Sequence, residues 1–225
     1  ELERVSASSV IHYHANIHKA LKYAVKLDLI SSNPADKIER PRKERFMANF
    51  YDADEVNRLF EISKGTKLEI PILFGAFYGM RRSETLGMKW DAIDFERDTI
   101  TIRHTLTTVA LDGKRITVAE DRTKNKSSMR TLPLVPFVKE RLLELKAEQE
   151  ENRRLCGRSY VKDYTGYVCI NEIGDIIKPN YVSCGFPKLL EEHGLRRVRY
   201  HDLRHSCASL LLANGVPMKQ IQEWL

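Results

Sequence analysis

Apolar positions recur at helical spacing along most of the 225-residue chain and alternate strictly only near its middle. Val10, Ile17, Leu21 and Ala24 mark a helix over residues 6–29, with Ser6, Ser8 and Ser9 offering N-cap oxygens. It should stop before Ser31-Ser32-Asn33-Pro34, because a residue preceding proline is pushed out of the helical region. Asp52 or Asp54 can cap a second helix carrying Val56, Leu59 and Phe60. A strongly apolar helix follows through Ile70, Ile72, Leu73, Phe74 and Phe77, and Gly79 ends it in a tight turn into Arg81. A short helix over 83–89 closes at Trp90. Alternation then predicts strands at 99–102, 106–109 and 115–118, with Asp112-Gly113 as a hairpin turn, and a last strand at 130–134 after a polar turn at 124–128. Helical spacing returns at 137–155, 182–192, 204–213 and from Met218 onward. The pattern predicts a mainly α fold with a small antiparallel sheet.

Domain organisation follows from what one helix cannot do. A single helix has no partner to bury its apolar side, so residues 1–43 read as the C-terminal piece of a preceding domain plus a linker. Residues 44–225 read as the second domain. The charged, linker-like stretch at 36–45, with Arg40, Arg42, Lys43 and Arg45 among its residues, straddles that boundary. The opening Glu1-Leu2-Glu3-Arg4 looks like a cut into a longer protein.

Composition narrows the picture only slightly. Lys and Arg number 37 against 31 Asp and Glu, a formal charge of +6. That excess permits a polyanionic partner without selecting one. Cys156, Cys169, Cys184 and Cys207 are widely spaced and form no C-x-x-C pair, which fits neither a zinc site nor a dense disulfide framework. Reduced thiols in a cytoplasmic protein are expected. No apolar run approaches the roughly 20 residues a spanning helix needs, and no signal-peptide pattern opens the chain.

Two short motifs stand out. One is Gly79-Met80-Arg81-Arg82-Ser83-Glu84-Thr85-Leu86-Gly87-Met88-Lys89-Trp90, and the other is His201-Asp202-Leu203-Arg204-His205-Ser206. Singly, each has a bland reading. Arg81 and Glu84, three residues apart, can form a surface ion pair worth a few tenths of a kcal/mol. A His-x-x-Arg occurs in many ordinary helices. Together, and with Lys126-Ser127-Ser128-Met129-Arg130-Thr131-Leu132-Pro133-Leu134 between them, they form a far more specific set.

In that order, the set resembles the tyrosine recombinase (phage integrase) family, most of all the integrases of conjugative transposons and temperate phages. The resemblance covers nearly the whole chain, since Leu29-Ile30-Ser31-Ser32-Asn33-Pro34-Ala35 looks like the exit of the family's core-binding domain. It implies the recombinase catalytic fold and a site-specific DNA transesterification without metal or other cofactor. A tyrosine attacks phosphate and leaves a 3′-phosphotyrosyl bond. Arg81 and Arg204 would clamp the scissile phosphate, because charge growing on its non-bridging oxygens is best met by rigid, permanently charged forks. His201 would hold or return a proton. A hairpin lysine would protonate the leaving oxygen; Lys124 and Lys126 share strand parity, with Lys124 preferred. Glu84 would orient the arginine site. His205 reads as a packing or hydrogen-bonding residue, and Arg82 as a surface or DNA-backbone residue.

The implied partners are double-stranded crossover-site DNA, a homotetramer of the full-length protein, and accessory DNA-bending or excision factors, in a bacterial, nucleoid-associated setting with no membrane. The family's nucleophile lies downstream of the His-x-x-Arg box, whereas all nine tyrosines occur at or before Tyr200. None in this chain is therefore expected to be the nucleophile, and the chain alone is expected to be inactive. Tyr200 reads as packing. Competing readings are a type IB topoisomerase, a non-catalytic DNA-binding remnant or regulator derived from an integrase, and a helical scaffold that matches by accident.

Overall fold

The computed structural model describes residues 5–42, 49–111, 114–120 and 129–225. The Asp112-Gly113 turn, the polar turn at 124–128, Lys124 and Lys126, and linker residues Lys43 and Arg45 lie outside the described residues. The chain divides into two compact units, Glu1–Met47 and Ala48–Leu225.

In the first unit, α1 spans Ala7–Lys26, and the Ser6 side chain accepts from Ser9 N as its N-cap. It stops three residues short of the expected end, and Asp28 then turns the chain with φ 53°. Asn33 caps a 3-10 turn at Pro34–Lys37, its Oδ1 accepting from Ala35 N at 3.0 Å and its Nδ2 donating to His18 O at 3.2 Å. His18 also meets Asp36 at 2.6 Å. These polar ties fix the turn on the helix. No residue of α1 is buried, and Tyr13, Ile17 and Tyr23 stand exposed.

The second unit is built round α3 (Glu69–Tyr78), in which every residue but Phe77 is buried. A helix apolar on all sides must be covered on all sides. Its neighbours are α2 (Ala53–Ser63), α4 (Arg82–Gly87) and α7 (Leu203–Ala213). Helix α2 starts in a reciprocal capping box between Asp52 and Glu55. Gly75 of α3 lets Tyr200 come close, since a Cβ there would sit 3.0 Å from the phenol oxygen. That hydroxyl donates to Pro71 O at 2.5 Å and lies 3.1 Å from Thr85 Oγ1.

The strands form two sheets where one was expected. Strands β1 (Ile93–Asp94), β2 (Thr99–Ile102) and β5 (Arg130–Pro133) pair antiparallel in the order β1-β2-β5. Strands β3 (Thr105–Leu111) and β4 (Lys114–Glu120) pair only with each other, with Leu111 opposite Lys114. Both are longer than alternation predicted, because a two-stranded ribbon extends by pairing alone and needs no buried face at its far end. Val109, Leu111 and Ile116 are accordingly exposed. Helices α5 (Pro136–Cys156), α6 (Pro179–Glu192) and α8 (Met218–Trp224) complete the described elements. Between α5 and α6 the chain is irregular, yet it is stitched to the end of α4 and to α5: Val168 N donates to Met88 O at 2.9 Å, and Gln149 of α5 donates to Val168 O at 2.8 Å.

Candidate active site

The first motif sits where α3 hands over to α4. Gly79 ends α3 in the left-handed region, with φ 61°, a conformation that costs glycine little and other residues more. The chain then extends through Arg81, the N-cap of α4. Glu84, one turn on, reaches back to it twice: Oε2 accepts from Arg81 N at 2.9 Å and Oε1 from Arg81 Nη1 at 2.7 Å. The Glu84 carboxylate is 2% exposed while the Arg81 side chain is 45% exposed. A buried acid thus holds an accessible guanidinium.

The second motif is set by a 3-10 turn, Tyr200–Asp202, leading into α7. Buried Asp202 pins the turn by accepting from Arg199 N at 2.9 Å, Nε at 3.1 Å and Nη2 at 2.8 Å. The Tyr200 hydroxyl fastens it to α3 from below, and burial raises that phenol well above its ordinary pKa. Tyr200 is therefore a packing residue in this fold. His201 and His205 are exposed and meet edge to face, with ring centroids 5.8 Å apart. Arg204 is half-buried in the first turn of α7; its Nη1 donates to Gly79 O at 2.6 Å and its Nη2 to Leu225 O.

The Arg204–Gly79 bond joins two motifs 125 residues apart in sequence. Arg81, Glu84, His201, Arg204 and His205 all fall within one electrostatic neighbourhood. Desolvation, then the charges of Arg81 and Arg130, pull the Arg204 guanidinium down to about 10, with Glu84 opposing them. It is still a cation at neutral pH. Burial by itself pushes the Glu84 carboxyl up, but the Arg130 charge and the hydrogen bonds from Arg81 and Arg130 outweigh it and hold the acid below its ordinary value. Desolvation, His205 and Arg204 lower the His201 imidazole, Asp202 pulling the other way. His201 is thus a neutral imidazole at pH 7, with the Arg204 guanidinium in its electrostatic surroundings.

Arg82 lies apart from the pair: it is exposed and donates to Ser183 Oγ on α6. His205 is exposed, with its ring against His201. One residue escaped the sequence reading. Arg130, at the start of β5, donates from Nη2 to Glu84 Oε2 at 3.2 Å, with a side chain only 8% exposed. Strand parity carried the signal, because Arg130 shares a face with Leu132 and Leu134, both buried.

The sequence profile of the phage integrase family matches residues 49–225. The chain belongs to the phage integrase family of tyrosine recombinases. Among relatives of this phage integrase domain, a tyrosine recombinase described as XerC-like from Caldanaerobacter subterraneus subsp. tengcongensis is 29% identical over 202 residues, covering 88% of this chain and 50% of that protein. The prophage integrase IntR of Escherichia coli is 22% identical over 219 residues, covering 92% of this chain and 51% of that protein. The chain thus spans about half the length of these relatives.

Solved structures agree on the fold. The Tn1549 transposon integrase in complex with circular intermediate DNA superposes with a TM-score of 0.79 at 17% identity, over 99% of this chain and 72% of that one. A lambda integrase dimer bound to a COC′ core site superposes with a TM-score of 0.65 at 16% identity, over 97% and 71%. At these identities the likeness is one of fold, the mainly helical recombinase catalytic fold with small antiparallel sheets. No helix among the described residues is long and apolar enough to cross a membrane.

Proposed function

We propose that this integrase-family chain is the DNA-cleaving part of a site-specific recombinase that breaks and rejoins DNA through a 3′-phosphotyrosyl intermediate. The observation that carries the reading is the meeting of Arg81 and Arg204 beside Gly79 and Glu84, with His201 one turn before Arg204. In the reaction, a tyrosine hydroxyl attacks the scissile phosphorus and loses its proton, and the bond to the 5′-oxygen breaks. Charge builds on the two non-bridging oxygens, where Arg81 and Arg204 stabilise it. Neutral His201 takes the nucleophile's proton and returns it on rejoining. The departing 5′-oxygen takes a proton from the hairpin lysine, Lys124 in preference to Lys126. Glu84 keeps Arg81 aimed, and His205 supports His201. Because the phosphodiester is exchanged for a phosphotyrosine of similar energy, resealing needs no nucleotide cofactor.

Double-stranded DNA at a crossover site is the substrate, and four full-length subunits would exchange strands between two duplexes, with accessory bending or excision factors. The first unit is the C-terminal piece of a core-binding domain. The likeness to the Tn1549 transposon integrase and to prophage integrases favours integration and excision of a mobile element.

The test uses the full-length recombinase on nicked suicide DNA that traps the covalent adduct. Wild type should accumulate the adduct, and peptide mapping should place it on a tyrosine. Arg81→Ala should lower its rate about a thousandfold. Wild-type rates in that variant would refute the reading.

A further inference from the structure

Arg130 joins Glu84 of α4 to the end of α8. Its side chain is 8% exposed, and its guanidinium splits between two elements: Nη2 donates to Glu84 Oε2 at 3.2 Å, and Nε donates to Trp224 O, at the end of α8, at 2.7 Å. Its backbone is fixed by pairing across the sheet, where Arg130 lies opposite Ile102. Along the chain it comes shortly after the segment that carries Lys124 and Lys126.

Each connection constrains a different participant. Glu84 has two oxygens and three donors to serve, Arg81 N and Nη1 on one side and Arg130 on the other. Without Arg130, the carboxylate keeps only its two bonds to Arg81 and loses the tie that fixes both to the rest of the fold. Helix α8 is seated by apolar contact, with Ile221 buried and Trp224 stacked on Tyr78 at 6.2 Å between ring centroids, and by the bond from Arg204 Nη2 to Leu225 O just past its end. The Trp224 indole N–H is buried without a partner, so it adds no polar anchor. Arg130 supplies a second polar tie to this helix end, through the Trp224 backbone carbonyl. A planar fork can serve an acid and a carbonyl from one rigid group, whereas a lysine ammonium is a single point on a flexible stem.

We infer that Arg130 is a positioning residue that locks Glu84, and through it Arg81, in register with the end of α8 and with the strand leaving the lysine-bearing segment. The inference rests on the recombinase reading above. The Nε and Nη2 donors of Arg130 are turned to protein, and its side chain is nearly buried, so the role requires no contact with DNA. Its role is to make the phosphate clamp and α8 assemble as one unit.

The experiment measures two quantities for full-length Arg130→Lys, Arg130→Met and Arg81→Ala: the dissociation constant for crossover-site DNA at fixed salt, and the single-turnover cleavage rate with DNA saturated. Arg130→Lys keeps a cation beside Glu84 and so guards against a misfolded Arg130→Met. Arg130→Lys should slow saturated cleavage about 100-fold, the scale of a small misplacement of catalytic groups, while DNA affinity stays within about threefold. Amide hydrogen exchange over residues 218–224 should quicken about tenfold in either Arg130 variant as α8 loosens. Wild-type cleavage by Arg130→Lys, with Arg81→Ala inactive, would overturn the positioning role and leave the recombinase reading intact. Equal losses in affinity and rate would also overturn it, marking Arg130 as a DNA contact. Normal cleavage by Arg81→Ala would instead remove the reading on which the inference stands.

Discussion

Arg81 and Arg204 lie within electrostatic reach of each other but are held by opposite means. Arg81 is accessible and leans on a buried carboxylate that binds its backbone and its side chain together. Arg204 is half-buried, has no carboxylate partner among the described residues, and is aimed by two backbone carbonyls. The same guanidinium therefore lives in two environments. One charge is balanced by an acid, and the other is desolvated beside two like charges and pulled down to about 10. An arginine with carbonyl partners keeps more of its charge for an incoming anion, whereas one tied to an acid is better oriented than it is charged. Phosphate binding should lean on Arg204 for charge and on Arg81 for geometry.

The sharpest way to break this comparison is at Arg204. Arg204→Ala should cut adduct formation in the full-length protein about a thousandfold, and Arg204→Lys should recover little of it, because one ammonium cannot hold Gly79 O and face a phosphate together. Equal rescue by lysine at 81 and 204 would show the two positions to be equivalent.

Next comes the acid that only one arginine has. Glu84→Ala leaves Arg130 buried with a lost counter-charge, and denaturant titration should show a loss of about 3–5 kcal/mol. Glu84→Gln, which can still accept one bond, should cost less, about 1–3 kcal/mol. A stability change near zero for both would mean that Glu84 does not organise this end of α4.

Acid titration probes the same asymmetry more gently. The Glu84 carboxyl is held below its ordinary 4.5 in the fold. Its stabilisation is complete above about pH 4.5 and is lost as pH falls through the lower folded value. Glu84→Gln should therefore flatten the acid limb of a plot of denaturation midpoint against pH. The His201 imidazole is lowered from 6.5, so cleavage should fall on acidification with an apparent midpoint under 6.5. A midpoint above 6.5 would contradict the neutral acceptor assigned to it.

The smallest effect belongs to the ion pair beneath His201. The Arg199 side chain is 66% exposed and its partner Asp202 only 4%. Arg199→Ala should change stability by under about 1 kcal/mol, since exposed pairs contribute little. Asp202→Ala should cost more by the same measurement, because it also frees the Arg199 backbone N–H that starts the turn.

Much of this was legible in the residues. The Asp52 cap, the stop at Gly79 and the two motif helices follow from local rules that act over one or two turns, and the structure has them where spacing put them. The division into two sheets was not legible. Strands at 106–109 and 115–118 look alike whether they join β2 or pair alone, since period-2 alternation names a face and not a neighbour. The irregular stretch from 157 to 178 left no periodic mark either, yet Val168 is tied to the end of α4 by Met88 O and to α5 by Gln149, through bonds that no local pattern encodes. Arg130 was hidden for a related reason. Its parity with Leu132 and Leu134 pointed inward, but the buried partner that makes a charge tolerable there lies 46 residues away.

By itself the sequence determined the mainly helical architecture, the two motif boxes and the family to which they belong, because caps, turns and motif spacings are written in neighbouring residues. Only the tertiary structure decided that Gly79 O and Arg204 Nη1 stand 2.6 Å apart, that Glu84 serves two arginines, and that Arg130 fastens α8 to them. Those are meetings between distant segments, and their geometry is fixed by how α3, α4, α7 and β5 pack rather than by any stretch of chain alone.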